Sequence, residues 1–175
     1  MARKIIVNLA MSLDGYIASE NGGYDWVTGD GNSTHDTKSQ FSFDAFFANI
    51  DTVVMGTNAY NDCDLSTYKD KKIIVATSKK RAGKGNVSFS SKVCDDIVAL
   101  QKEEGKDIWL FGGGVLVDEF IKRNIIDYYI VGIIPTILGK GRKMFYADNP
   151  TIRLVLEKCS VNDGITILEY VKGDL

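Results

Sequence analysis

The chain has 175 residues, a length that suits one domain, because a single hydrophobic core typically serves roughly 100 to 200 residues. Hydrophobic residues make up 45% and charged residues 25%, which is ordinary globular usage and gives no reason to expect disorder. The formal net charge of -2 argues against a general electrostatic grip on nucleic acid or on an anionic membrane, since both need a surplus of Lys and Arg. We therefore expect one domain, residues 1–175, with neither nucleic acid nor membrane as a partner.

The residues that usually carry metal binding and nucleophilic catalysis are scarce. Cys63, Cys94 and Cys159 lie far apart without a CxxC spacing, so neither a disulfide framework nor a metal site is expected. His35 is the only histidine, and a Ser-His-Asp or Cys-His enzyme would have to be built on it alone. Residues 5–10 form an apolar run too short for a signal peptide or a membrane span, so the expected location is the cytoplasm.

Hydrophobic patterning predicts an α/β fold. Apolar runs rich in Ile and Val predict strands at residues 3–10, 51–55, 72–77, 107–111 and 125–134. Helical patterns occupy residues 41–50, 91–104 and 115–123. Because strands and helices alternate, the sheet should be largely parallel and covered by helices. Two further apolar runs, 153–158 and 165–170, flank Asn162-Asp163-Gly164 and predict a hairpin, which makes the sheet mixed with an antiparallel edge.

The strongest local signal is the triple glycine Gly112, Gly113 and Gly114, between a predicted strand and a predicted helix. Glycines let a ligand approach the backbone closely, and a helix start offers unpaired N–H groups, which together suit a pyrophosphate. A tight turn without a ligand is the alternative. Val117 stands where the third glycine of a Rossmann fingerprint belongs, so a bound dinucleotide would be held by another fold.

Two other strand ends carry small or hydroxyl residues, Gly56 with Thr57 and Thr77 with Ser78. In an open parallel sheet, ligands collect beyond the carboxyl ends of the strands. The basic run at residues 79–81 would suit a dianion such as the 2′-phosphate that distinguishes NADPH from NADH. Taken alone, this run is equally typical of a solvated loop.

Three further residues are candidates for the substrate side. Residues 19–40 form a polar, glycine-rich loop of the kind that covers or lines a site, and Trp26 within it is either a cap for a planar substrate or a packing anchor. Asp44 either points a carboxylate into a cleft or lies exposed on its helix. Asp14, beside Gly15, is either a turn former or a catalyst.

Taken together, these motifs resemble the dihydrofolate-reductase-like superfamily, and within it a stand-alone relative of the reductase domain of bifunctional riboflavin-biosynthesis deaminase-reductases. The resemblance extends over about residues 3–170. Residues 12–18 match the SLDGxIA segment of that family, residues 54–57 its strand-to-helix turn, and residues 112–114 its nucleotide turn. Residues 135–145 fit its P-x-x-LG-x-G-x-x-x-F pattern, which is the most specific of the four.

The resemblance implies a three-layer αβα fold, a homodimer, and hydride transfer from NADPH to a pteridine- or pyrimidine-like small molecule. A non-catalytic nucleotide-binding or sensing module on the same fold is the alternative. The residues that would contact NADPH are Ala10, Ile17, Gly56, Thr57, Thr77, Ser78, Lys79, Gly112, Gly113, Gly114, Val115 and Leu116. Asn8 and Trp26 would contact substrate, and Asp44 and Asp14 would be the catalytic candidates. The resemblance also implies a cis peptide between Gly112 and Gly113.

Two departures from the family concern the substrate. Gly132 stands where dihydrofolate reductases carry a strand threonine, and Phe111 stands where the riboflavin-pathway reductases carry an acidic residue. The sequence therefore does not assign the organic substrate.

Overall fold

A computed structural model describes residues 3–173, which form ten strands and four α-helices. The strands are β1 Ile5–Ser12, β2 Tyr16–Ala18, β3 Ile50–Gly56, β4 Lys72–Ala76, β5 Val87–Ser90, β6 Asp107–Gly112, β7 Tyr128–Ile134, β8 Arg142–Lys143, β9 Leu154–Asn162 and β10 Ile165–Lys172. The helices are α1 Phe43–Ala48, α2 Thr57–Asp62, α3 Val93–Leu100 and α4 Gly114–Lys122, with a 3-10 helix at Leu65–Tyr68.

Eight strands form one sheet in the order β5-β4-β3-β6-β1-β7-β10-β9. The pairs among the first six strands are parallel, and β10 pairs antiparallel with both β7 and β9. The mixed, mostly parallel sheet and its C-terminal hairpin are confirmed. Since β10 runs against the other strands, the tip of the β9–β10 hairpin lies at the carboxyl edge of the parallel strands.

Alternation along the central strands divides the core into two layers. On β6, Ile108 and Leu110 face the layer of α3 and α4, while Trp109 and Phe111 face the layer of α1 and the 3-10 helix. Phe120 of α4 is fully buried in the first layer. Helices cover both faces of the sheet, which explains why its central strands are apolar throughout and confirms the αβα arrangement.

The structure also contains elements that the hydrophobic pattern did not predict, although the resemblance implies a helix after Gly56. The helix α2 has no buried residue, so it carries no apolar stripe to detect. The strand β5 has four half-buried residues, and the short pair β2–β8 forms a separate antiparallel sheet. The predicted helix 41–50 is limited to Phe43–Ala48, and the predicted strand 125–134 begins at Tyr128. Among residues 3–173, no helix has the length and apolarity needed to cross a membrane.

Candidate functional site

Three parallel strands end side by side at the carboxyl edge of the sheet. Met55 of β3 pairs with Gly112 of β6, and the next residue, Gly56, pairs with Ala76 of β4. Thr57 donates from Oγ1 to the carbonyl oxygen of Ala76 at 2.9 Å, which fixes the start of α2 against β4. A Cβ added at Gly56 would lie 3.6 Å from the carbonyl oxygen of Gly112, so the absence of a side chain leaves the surface beside the Gly112–Gly113 turn uncovered.

The triple glycine forms the turn from β6 into α4. Gly112 has φ +123°, a conformation that favours glycine, and the Gly112-Gly113 peptide is cis, as the resemblance implies. Gly113 is the N-cap of α4, and a Cβ there would meet nothing within 4 Å. In the described part of the chain, the N–H groups of Gly114 and Val115 donate to no acceptor. The turn therefore presents free amides and the positive end of a nine-residue helix at the carboxyl edge.

A cleft of about 480 Å³ lies beyond the end of β4. It is lined by Ser78, Lys79, Lys80, Arg81, Ala82, Phe89 and Ser91. The guanidinium carbon of Arg81 lies 4.4 Å from the ring centroid of Phe89, so one wall combines a cation with an aromatic face. Thr77 accepts from the N–H of Lys79 at 3.2 Å and shapes the loop. The basic run thus lines a cleft, and its Phe89 wall was missed because β5 was not predicted.

The turn after β1 brings together two segments that carry the family resemblance, residues 12–18 and residues 135–145. The carboxylate of Asp14 accepts from Ser12 Oγ at 2.6 Å, from the N–H of Leu138 at 3.0 Å and from the N–H of Gly139 at 2.7 Å. The hydrogen bond from Ser12, followed by that from Leu138, lowers the pKa of Asp14 to about 2. Asp14 is therefore ionised at neutral pH, and the geometry favours its interpretation as a turn former over a proton donor.

This low pKa predicts a pH dependence that belongs to Asp14. Because the folded pKa of about 2 lies below the ordinary value of 3.8, the stability from Asp14 is present above about pH 4 and is lost as pH falls through 2. We expect Asp14→Asn to be less stable than the wild type at pH 6, with the difference shrinking below pH 4. Urea unfolding from pH 6 to pH 2 measures this, and a difference that stays constant would contradict the assignment.

The substrate candidate Asn8 and the NADPH candidate Ala10 lie on the α1 face of the sheet. Asn8 and Ala10 alternate with the core residues Val7 and Leu9 on β1, and Ala10 pairs with Gly132 of β7. The side-chain nitrogen of Asn8 is buried without a partner among residues 3–173, which makes it an available donor on this face.

The remaining candidates are less enclosed. Asp44 is exposed in the first turn of α1, where Ser42 Oγ caps the helix by accepting from the N–H of Ala45 at 3.2 Å. Trp26 is half-buried in the loop and donates from Nε1 to the carbonyl oxygen of Gly23 at 3.3 Å. Ile17 is half-buried on β2. The structure therefore unites the nucleotide-side candidates at one edge but encloses neither candidate acid in a pocket.

Comparison with solved structures defines the class of fold. Dihydrofolate reductase from Enterococcus faecalis, in complex with NADP(H) and RAB-propyl, has a TM-score of 0.63 at 17% identity and covers 99% of this chain and 100% of its own. A deaminase/reductase from Thermotoga maritima, whose name combines diaminohydroxyphosphoribosylaminopyrimidine deaminase and 5-amino-6-(5-phosphoribosylamino)uracil reductase, has a TM-score of 0.70 at 16% identity. The match covers 98% of this chain and 57% of that one. The fold is dihydrofolate-reductase-like.

The sequence comparisons are more specific. The profile of the RibD C-terminal domain matches residues 3–64 and 59–165. A protein from Shewanella sp. PV-4 whose name links it to riboflavin biosynthesis is 27% identical with a TM-score of 0.79, over 99% of this chain and 100% of its own. The Bacillus subtilis (strain 168) protein YwjB is 31% identical over 179 residues, covering 99% of this chain and all of the relative. The chain belongs to the RibD C-terminal domain family.

Proposed function

We propose that the protein is an NADPH-dependent reductase of a pteridine- or pyrimidine-like small molecule, with the dinucleotide lying across the carboxyl ends of β4, β3 and β6. The proposal rests chiefly on the free amides of Gly114 and Val115, which share one sheet edge with the open Gly56 and the basic cleft at residues 78–81. Such a row of donors matches the spaced negative charges of a dinucleotide. Bound NADPH would supply the hydride.

The residues of this chain divide the binding between them. The start of α4, from Gly112 to Leu116, holds the pyrophosphate through backbone N–H groups, with Gly56 and Thr57 at its other side. Ser78 and Lys79 hold the adenosine end, aided by Thr77 beneath them and by Arg81, which is stacked on Phe89. The cleft at residues 78–81 has the charge to bind a 2′-phosphate.

The nicotinamide would lie against Ala10 and Ile17, with the planar substrate beside Asn8. The buried Asn8 side-chain nitrogen orients the substrate by donating a hydrogen bond to it. Trp26 closes the loop side and excludes water. Asp44 is the proposed acid, whereas Asp14 holds the segment after β7 in place by accepting from the N–H groups of Leu138 and Gly139.

Nucleotide titrations test the binding half of this proposal. We expect the wild type to bind NADPH, and the double change Lys79→Ala with Arg81→Ala to weaken NADPH at least tenfold while leaving NADH within about threefold. Each lost charged hydrogen bond is worth about 1.5 to 3 kcal/mol and concerns only the 2′-phosphate. The exposed Lys102, which follows α3, serves as the control in Lys102→Ala. Equal losses for both nucleotides, or no binding of either by the wild type, would refute the assignment.

A non-catalytic nucleotide-binding module remains the second candidate, because both candidate carboxylates are exposed residues. The two functions separate on turnover. The reductase oxidises NADPH with at least one member of a panel of pteridines, pyrimidines and quinoid compounds. The module binds NADPH with comparable affinity and oxidises it with none of them.

We also propose a homodimer, supported by the apolar edge strand β9. Leu154, Val155 and Leu156 are 38%, 54% and 50% exposed, which is unusual for three consecutive apolar residues on a strand. Light scattering after size exclusion should give a dimer for the wild type and a monomer for Leu156→Lys. Glu157→Lys, on the same exposed strand, is the control for added positive charge, and it changes the net charge by two where Leu156→Lys changes it by one. If the wild type is a monomer at a protein concentration of about 50 µM, the proposed dimer is ruled out.

A further inference from the structure

The long loop between β2 and α1 is tied to the tip of the β9–β10 hairpin. Asp163 has φ +52° at this tip. Its carbonyl oxygen accepts from the N–H of Asp30 at 3.0 Å, and its Oδ1 accepts from the N–H of Gly31 at 2.7 Å. Its own N–H donates to Asp36 Oδ1 at 2.8 Å. One residue of the hairpin therefore holds the loop at three points.

A second contact lies one step along β9. The N–H of Thr37 donates to the carbonyl oxygen of Val161 at 2.9 Å, and the N–H of Val161 donates back to Thr37 Oγ1 at 3.1 Å. This reciprocal pair holds the returning end of the loop against the hairpin. The loop segment 30–37 is thus fastened along the outermost strand of the sheet.

Glycines make this contact close. A Cβ added at Gly29 would overlap both the carboxylate and the carbonyl oxygen of Asp163. A Cβ added at Gly164 would overlap the carboxylate of Asp30, and Gly164 has φ +72° besides. A side chain at Gly29 requires the loop to move away from the hairpin, because the overlap includes the backbone carbonyl oxygen of Asp163. At Gly164 the overlap is with a side chain that can rotate, and the positive φ is what favours glycine there.

The path of the loop follows from the sheet topology. The loop leaves β2, which follows the end of β1, and reaches the hairpin tip at the same edge, because Thr166 of β10 pairs with Ile133 near the end of β7. It therefore crosses the carboxyl edge from β1 to β10. Trp26 lies between two fixed points, Gly22 beside the guanidinium of Arg142 and Gly29 beside Asp163.

We propose that Asp163 is a positioning residue that holds the loop of residues 19–40 as a roof beside the substrate, with Trp26 as its half-buried contact. The hydrogen bonds of Asp163 hold the backbone N–H groups of Asp30 and Gly31 and the side chain of Asp36, and the loop held in this way positions Trp26. The effect on substrate rests on the proposed reductase function, whereas the effect on the loop does not.

Two variants of Asp163 distinguish the effect of its side-chain acceptor from the effect of its backbone conformation in the turn. Asp163→Gly removes the acceptor Oδ1 and tolerates φ +52°, whereas Asp163→Asn keeps an acceptor in the same place. The loop is followed by acrylamide quenching of Trp26, obtained as the difference between each protein and its Trp26→Phe counterpart. We expect quenching to rise about twofold or more in Asp163→Gly and to stay at the wild-type value in Asp163→Asn.

A second variant approaches the contact from the loop. Gly29→Val should raise Trp26 quenching as Asp163→Gly does, because its side chain pushes the loop from the hairpin. Amide exchange at Gly31 and Thr37 should quicken in both variants while that of β1 and β6 stays slow, which shows that the fold persists. Unchanged quenching and exchange in both variants would overturn the proposal.

Measurements of NADPH binding and turnover distinguish the role of Asp163 from the proposed reductase function. NADPH affinity should stay within twofold of the wild type in Asp163→Gly, since the amides of α4 and the cleft at residues 78–81 are not part of the contact. With a substrate that is turned over, KM should rise at least fivefold with a smaller change in kcat, and Asp163→Asn should restore it. An effect on kcat alone, or no rescue, would overturn the positioning role. If the wild type does not bind NADPH, the proposed reductase function is refuted. The quenching and amide-exchange measurements on the loop can still be interpreted, because they do not depend on NADPH.

Discussion

Replacing Gly113 with Asp should raise the Kd for NADPH by about 100-fold or more, while the protein stays folded. Gly113 is the N-cap of α4, and a side chain there meets nothing within 4 Å. The carboxylate would accept from the free N–H groups at the helix start and would place a negative charge where the pyrophosphate is proposed to bind. Two unit charges 5 Å apart repel by about 3 kcal/mol at an effective dielectric constant of about 20.

The matched control is Gly113→Asn, which has nearly the same shape and is as good an N-cap as Asp. Both variants share every backbone consequence of losing the glycine, so their difference isolates one charge. Gly113→Asn should lose less NADPH affinity than Gly113→Asp, because its side chain caps the same N–H groups without adding a negative charge, and both should unfold at similar temperatures. Equal NADPH affinities for the Asp and Asn variants would show that the pyrophosphate lies elsewhere.

The second large effect concerns stability. Arg3 is 4% exposed at the amino end of β1, where its Nη2 forms an ion pair with Asp51 and donates to Thr52 Oγ1 at 2.8 Å. Its Nε donates to the carbonyl oxygen of Lys106 at 2.6 Å, which ties β1, β3 and the approach to β6 together. Asp51→Ala leaves the buried guanidinium without its counter-charge, so we expect a loss of about 3 kcal/mol in the free energy of unfolding, measured in urea.

This value is the lower end of the range for buried pairs, because the Asp51 side chain is 36% exposed and water can replace part of it. The double variant Arg3→Met with Asp51→Ala should recover part of the loss, since no unpaired charge then remains in the core. A loss below about 1 kcal/mol in Asp51→Ala, or losses that simply add in the double variant, would contradict this account.

The main strands could be predicted because their residues are apolar on both faces. β1, β3, β4, β6 and β7 lie in the part of the sheet covered by helices, and burial on both sides produces runs of Ile and Val that no loop shows. The turn at residues 112–114 could be identified from the sequence because three consecutive glycines stand between a predicted strand and a predicted helix. The strand β5 was not predicted because its four residues are only half-buried. For the same reason, the position of Phe89 in the wall of the basic cleft was not predicted.

The substrate side could not be predicted in the same way, because its geometry depends on contacts between distant residues. The sequence left two roles for Asp14, as a turn former or as a catalyst. Its hydrogen-bond partners Leu138 and Gly139 lie 124 and 125 residues away along the chain. The loop contact of Gly31 with Asp163 spans 132 residues, and no local pattern indicates it. Such pairings follow from the sheet order, which places the hairpin tip and the end of β1 on one edge.

A crystal structure of the protein soaked with NADPH tests the central claim most directly. We expect the pyrophosphate on the amides of Gly114 and Val115, and the 2′-phosphate in the cleft of Ser78, Lys79 and Arg81. The nicotinamide should lie beside Ala10, on the face that carries Asn8. A dinucleotide found away from the carboxyl ends of β3, β4 and β6, or none at millimolar NADPH, on the order of a thousand times a typical micromolar Kd, would contradict it.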